Sequence, residues 1–248
     1  MDFNSIFIPM ISGAVGGLLN QTIINSLNAI YFEKIGWKAK FRKEIGDLKC
    51  YKAIYDYAEE IGVNLKSIDP SNLQEPSYRL VSSYLEASAN CIGEKELQKL
   101  FAKIVANTAD ASKTKYLHPS FGNVLNQLSS LDAKLLRELL SNGEYGIILW
   151  INNTHTHYFL PGCHQWFGAS WEELDNSLRN LDRLGLISIV NPTSGYVITP
   201  EESEFFSNPR IQKNIREMLS QMDYEYIEAQ AHPITITSFG FNLLRACS

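Results

Sequence analysis

Ile11, Val15, Leu18, Leu19, Ile23, Leu27 and Ile30 recur at helical spacing, while Gln21, Asn25 and Asn28 gather on the opposite side. That period predicts an amphipathic helix near the start of the chain. Residues 43–61 and 77–91 also read as helical. The stretch 94–108 is the clearest, with Leu97, Leu100, Phe101, Ile104 and Val105 on one face. Asp69-Pro70 and Glu75-Pro76 punctuate the connection between the first two of these helices, because a residue before proline is driven out of the helical region. Ser129 with Asp132, and Ser170 with Glu173, match the S-x-x-[DE] capping box, so helices are expected over 131–140 and 171–185.

The second of those helices carries Leu174, Leu178, Leu181 and Leu184, then passes through Gly185 into a short apolar strand at 186–190. Asn191 to Gly195 reads as a turn and 196–199 as a returning strand. Thr199-Pro200-Glu201-Glu202 caps a helical excursion whose stripe is Ile211, Ile215, Met218 and Met222. A final strand at 234–237 and a closing helix at 238–247 complete the chain. Helix, turn, helix and a two-stranded wing is the order of a winged helix. The expected fold is therefore mainly α: a helical N-terminal part packed on a winged-helix-like α/β module with a small β-wing. Three stretches are expected: an uncharged helical segment at 1–32, a helical domain at 33–128, and the winged-helix-like domain at 129–248 with a helical insertion near 200–230.

Composition narrows the function. With 248 residues, 45% apolar and 20% charged, the chain can bury a sizeable core. A net charge of -5 and a pI near 5.6 argue against indiscriminate binding to nucleic acid or anionic lipid over the whole surface. Cys50, Cys91, Cys163 and Cys247 form no C-x-x-C pair, which fits reduced, buried thiols in a cytoplasm better than a disulfide framework. No charged residue lies between Asp2 and Glu33, and the basic residues Lys34, Lys38, Lys40, Arg42 and Lys43 follow the uncharged run. A secretory signal has the opposite order. Gly13 and Gly17 form a G-x-x-x-G that lets two helices approach closely. The plainer reading of 1–32 is a helix buried in the core or in an oligomer interface. The sharper one is a conditional membrane segment, carried by Gly13, Gly17, Leu18, Ile23 and Leu27 and backed by the basic run. Asn and Gln residues make it a poor permanent span.

No phosphate-cradling loop, nucleophile elbow, zincin helix or kinase set occurs in the chain. His155-Thr156-His157 with Cys163-His164 are potential zinc ligands, but the adjacency of Cys163 and His164 is awkward for one tetrahedral ion. A polar hairpin or loop, helped by Pro161 and Gly162, is the plainer reading. No catalytic residue, cofactor, metal or small-molecule substrate is expected. In the helix that would enter a DNA groove, Arg179 and Arg183 stand against Glu172, Glu173, Asp175 and Asp182. Phosphate contacts dominate nucleic-acid affinity, so a protein partner or self-association is expected rather than nucleic acid. DNA binding through Arg179 and Arg183 is the alternative.

The run Leu97-Gln98-Lys99-Leu100-Phe101-Ala102-Lys103-Ile104-Val105-Ala106-Asn107 resembles a helix of the abortive-infection alpha family. Leu117-His118-Pro119-Ser120-Phe121, with Leu125 through Lys134, resembles that family's next segment. Ile236-Thr237-Ser238-Phe239-Gly240 with Ala246-Cys247 resembles its ending. The resemblance covers residues 50–248 and implies a bacterial phage-resistance protein acting by abortive infection, in which the infected cell stops growing or dies before phage spread. It carries over no catalytic residue. His118, Pro119 and Asp110 read as structural residues of loops and helix ends. The expected location is the cytoplasm, with residues 1–32 able to reach the inner membrane.

Overall fold

The structure, a computed structural model, describes residues 21–44, 46–142, 145–151, 155–159, 168–189 and 227–248, with Ser207, Pro209 and Lys213 singly. Two compact units divide the chain: Met1–Ser130 with Asn242–Ser248, and Leu131–Phe241.

The first unit is helical. Helix α1 (Gln21–Tyr31) continues through a π-helical turn, Phe32–Gly36, into α2 (Trp37–Glu44). Gly46 then takes φ +78°, a conformation that ends a right-handed helix. The Asp47 carboxylate accepts from the Cys50 amide at 3.0 Å and caps α3 (Leu48–Lys66). The helix expected over 43–61 is thereby corrected at both ends. Its first residues belong to α2, and buried Ile61 and Leu65 carry its stripe on to Lys66.

Helices α4 (Tyr78–Ser88), α5 (Lys95–Asn107) and the short α6 (Phe121–Leu125) follow. α3 packs on α5, and α4 packs on α1, α5 and α6. The core is Ile54, Tyr57, Ile61 and Leu65 of α3, Val81, Tyr84 and Leu85 of α4, and Leu97, Phe101, Ile104 and Val105 of α5. Each such side chain contributes about 1.5–3 kcal/mol by leaving water.

In the second unit α7 (Ser130–Asn142) precedes a hairpin of β1 (Tyr145–Ile151) and β2 (His155–Phe159). Then come α8 (Trp171–Arg183), β3 (Ile187–Ile189) and β4 (Ile227–Ile236), followed by α9 (Ser238–Ala246), whose residues from Asn242 on belong to the first unit. The strands form one sheet in the order β2-β1-β4-β3, with every neighbouring pair antiparallel. Ser170 caps α8 with a complete capping box: its hydroxyl accepts from the Glu173 amide and the Glu173 carboxylate accepts from the Ser170 amide. Leu174, Leu178 and Leu181 bury the inner face of α8. The Asp132 carboxylate of α7, also buried, accepts from the Asn180 side chain at 2.9 Å.

Two expectations change here. β1 was not anticipated. β4 begins at Ile227 rather than 234, because Ile227–Pro233 pairs with β1 while Ile234–Ile236 pairs with β3. Residues 227–230 therefore belong to the sheet and not to a helical insertion. Thr237 leaves the strand to serve the next helix: its hydroxyl donates to Gly185 O and accepts from the Gly240 amide at 3.0 Å. The returning strand at 196–199, and the stripe of Ile211, Ile215, Met218 and Met222, lie outside the described residues.

Candidate functional site

The segments that carried the family resemblance have structural work to do. The buried Asn107 amide, at the end of α5, donates to Ala246 O at 2.9 Å and to Ser248 O at 3.2 Å, binding the last turn of the chain to α5. The Asp110 carboxylate accepts from the Ser112 amide and hydroxyl, closing the turn after that helix. In the His118-Pro119 turn both carbonyls are acceptors: Tyr84 Oη donates to His118 O at 3.0 Å and Ser83 Oγ donates to Pro119 O at 3.2 Å. The His118 imidazole accepts from the Ser120 amide through Nδ1. At Gly240 an added Cβ would run into the Leu186 carbonyl, so the close approach of α9 to the turn between α8 and β3 requires glycine.

Those turn bonds fix α6 against α4, and Gly122 sets how close the two come. A Cβ there would lie 3.0 Å from Ser83 O and 3.3 Å from Ala87 Cβ. Along the outer edge of this contact runs an open groove of about 750 Å³. One wall is the polar face of α4 and its following turn: Arg79, Ser82, Ser83, Glu86 and Asn90, spaced three or four apart. The other wall is Asn123 and Asn126.

Charges at the α4 side are arranged in a chain. The Lys34 ammonium lies 2.9 Å from Glu33 and 2.7 Å from Glu86, and the Tyr78 hydroxyl donates to Glu33 at 3.1 Å. Lys34 and then Tyr78 hold the Glu33 carboxyl below its usual range. Glu86 and then Glu33 raise Lys34. Asn126 Oδ1 takes a weak hydrogen bond from Cys91 Sγ at 3.6 Å. Among the described residues, the Arg79 guanidinium and the Asn90 and Asn123 side-chain amides make no hydrogen bond or ion pair. The groove thus presents one uncompensated cation and carboxamides that can donate and accept.

The thiols nearby are poor nucleophiles. Burial, with Glu94 adding to it, pushes Cys91 up to about 11, and burial pushes Cys247 up to about 12.

The sequence-derived candidates lie elsewhere. Gly13, Gly17 and Leu18 fall outside the described residues. Ile23 and Leu27 are buried at 4% and 2% exposure, on a helix that packs on α4. Asn28, on the same helix, has both amide atoms buried without a hydrogen-bond partner. Arg179 ion-pairs with Asp175 at 3.0 Å, and Arg183 donates to Asn180 at 2.7 Å. His155 and His157 occupy alternate positions of β2, opposite Ile151 and Leu149 of β1. Cys163 and His164 lie outside the described residues. No helix among the described residues is long and apolar enough to cross a membrane. Sequence reasoning missed the groove. The signal that could have found it was the polar stripe Arg79, Ser82, Ser83, Glu86 and Asn90 opposite the apolar face of the same helix.

Comparison with known families matches residues 51–247 to the family described as abortive infection alpha. Comparisons with curated proteins and with solved structures find no match.

Proposed function

The chain belongs to the abortive infection alpha family, and on that premise we propose that it is a phage-defence protein that acts without catalysis, through contacts with a protein partner or with itself. In this reading residues 1–32, followed by the basic run from Lys34 to Lys43, act at the inner membrane once displaced from a cytoplasmic resting state. The family match over 51–247 is the observation that carries the defence role.

Support for a non-catalytic role comes from how the reactive side chains are used. Asp110 and the His118 ring hold turns, and the Cys91 and Cys247 thiols are kept protonated. The basic run supports the membrane role: Trp37 is 52% exposed beside Lys38, whose ammonium lies 5.9 Å from the ring centroid. Exposed aromatic and basic side chains together favour an anionic lipid interface.

We read the second unit as a winged-helix-like module used for protein contact. The order of the described elements supports this: α7, the β1–β2 pair, α8, β3 and β4, with β4 lying between β1 and β3 in the sheet. On α8 the two arginines are already engaged by Asp175 and Asn180, which weakens the alternative of a DNA-binding regulator. That alternative requires salt-sensitive DNA retention that is lost on Arg179→Glu and Arg183→Glu.

Fractionation of cells expressing the full chain or a chain starting at Gln21, with growth scored in parallel, tests the membrane role. Before infection both chains are expected to be soluble and harmless; after infection, the full chain is expected at the membrane with growth arrested, and the shorter chain is expected to stay soluble. Equal distribution and equal growth of the two would remove the membrane role.

A further inference from the structure

We propose that the groove between α4 and α6 binds an extended segment of a partner protein, with an acidic side chain of that segment seated on Arg79. This rests on the reading that the chain works through protein contacts, and it names the chemistry of the partner.

The geometry points away from a small molecule. Small-ligand sites are enclosed and largely apolar, whereas this groove is open and lined mainly by Ser82, Ser83, Asn90, Asn123 and Asn126, with Tyr78 and Ala87 as its apolar part. Its length fits a strand of peptide. From Arg79 to Asn90 the helical wall advances roughly 16 Å at about 1.5 Å per residue, the span of roughly five residues of extended chain at about 3.3 Å each.

The lining fits a peptide backbone. An asparagine side chain carries one carbonyl and one NH₂, the same donor and acceptor pair that each peptide unit offers. Asn90 and Asn123 have these groups unspent on either wall of the groove. They can hold main chain without reading its sequence. Arg79 supplies the selectivity, because its guanidinium has no carboxylate within the described residues, while Glu86 farther along is ion-paired with Lys34 at 2.7 Å, an ammonium it shares with Glu33. An uncompensated arginine at one end, and an ion-paired carboxylate in the middle that would repel further acids, favour a single acidic residue seated at the Arg79 end. Gly122 and the turn bonds from Ser83 and Tyr84 hold the two walls at fixed spacing, so the site is formed before a ligand arrives.

The test uses the full chain and short random-sequence peptides, each with one Asp or Glu, alongside a matched set in which that residue is Asn or Gln. The expected result is selective retention of the acidic set. Arg79→Glu is expected to weaken that binding by about tenfold or more and to shift the preference to peptides bearing Lys or Arg. A combined Asn90→Ala and Asn123→Ala variant is expected to weaken both sets alike. All three exposed positions lie outside the core, and an unchanged thermal unfolding midpoint checks that each variant folds.

Retention of neither set, or undiminished acidic-set binding by Arg79→Glu, overturns the proposal; so does competition by inorganic phosphate as effective as that by peptide. If peptide binding fails while phage protection persists, the groove assignment falls and the defence reading stands. If peptides bind as described but the chain never affects infection, the defence reading falls instead.

Discussion

Asn107 ties two distant parts of the chain together with one side chain, because its amide satisfies two backbone carbonyls at the C-terminus. Asn107→Ala removes both donors and leaves a buried acceptor at Ala246. The expected loss is about 1–3 kcal/mol of unfolding free energy, read from chemical denaturation, and an unchanged midpoint would show that the last turn is held by packing alone. The thiols report on the same unit. Folding raises Cys91 to about 11 and Cys247 to about 12, whereas an unfolded thiol ionises at about 8.5. Below that value both states hold their thiol protons. Above it the unfolded chain loses protons that the folded chain keeps, so their contribution to stability is present below about 8.5 and is lost as the pH rises toward the folded values. Alkylation of the native protein at mildly alkaline pH, mapped by mass spectrometry, is expected to label half-buried Cys50 before Cys91 and Cys247. Equal labelling of all three would contradict their burial.

At the scale of elements, helix α5 was legible because Leu97, Phe101, Ile104 and Val105 repeat at the helical period and all four are buried in the structure. The capping box at Ser170 and Glu173 placed the start of α8 for an equally local reason. β1 was not legible. Tyr-Gly-Ile-Ile-Leu-Trp-Ile is a continuous apolar run, and such runs look alike in a strand and in a buried helix. β4 reaches back beyond the expected 234 because Ile227–Pro233 pairs with β1, a contact far away in the chain that local pattern does not carry. The groove escaped notice because its walls come from two helices and because polar residues without a metal, phosphate or nucleophile pattern announce no chemistry. Asn28 shows the opposite failure: its place on the polar side of the α1 pattern suggested solvent, yet its amide atoms are buried and unpaired. Asn28→Leu is expected to raise stability by about 1–3 kcal/mol. A drop instead, concentration-dependent in the original protein, would reveal that a second copy satisfies the amide.

For the whole molecule, the burial of Ile23, Ile24, Leu27, Ile30 and Tyr31 has a practical consequence. α1 is part of the core of the first unit, and the Tyr31 hydroxyl donates to Ile54 O at 2.8 Å. A chain of residues 33–248 loses these side chains and is expected to aggregate or melt at markedly lower temperature, since each buried large apolar side chain removed costs about 2–5 kcal/mol. A chain of residues 21–248 keeps every buried side chain of the described core and is expected to melt as a folded protein. Equal melting of the two would show that α1 contributes no packing energy. Any displacement of the N-terminal segment toward a membrane would therefore have to overcome the packing of α1.

The most direct measurement is infection of cells carrying the chain, with a panel of phages added at few and at many phage per cell. The expected result is fewer plaques for at least one phage, together with arrest or death of infected cells when phage are in excess, so that the culture as a whole is protected only at the low ratio. Unchanged plaque numbers across the panel, or protection in which the infected cells themselves survive, would contradict an abortive-infection role.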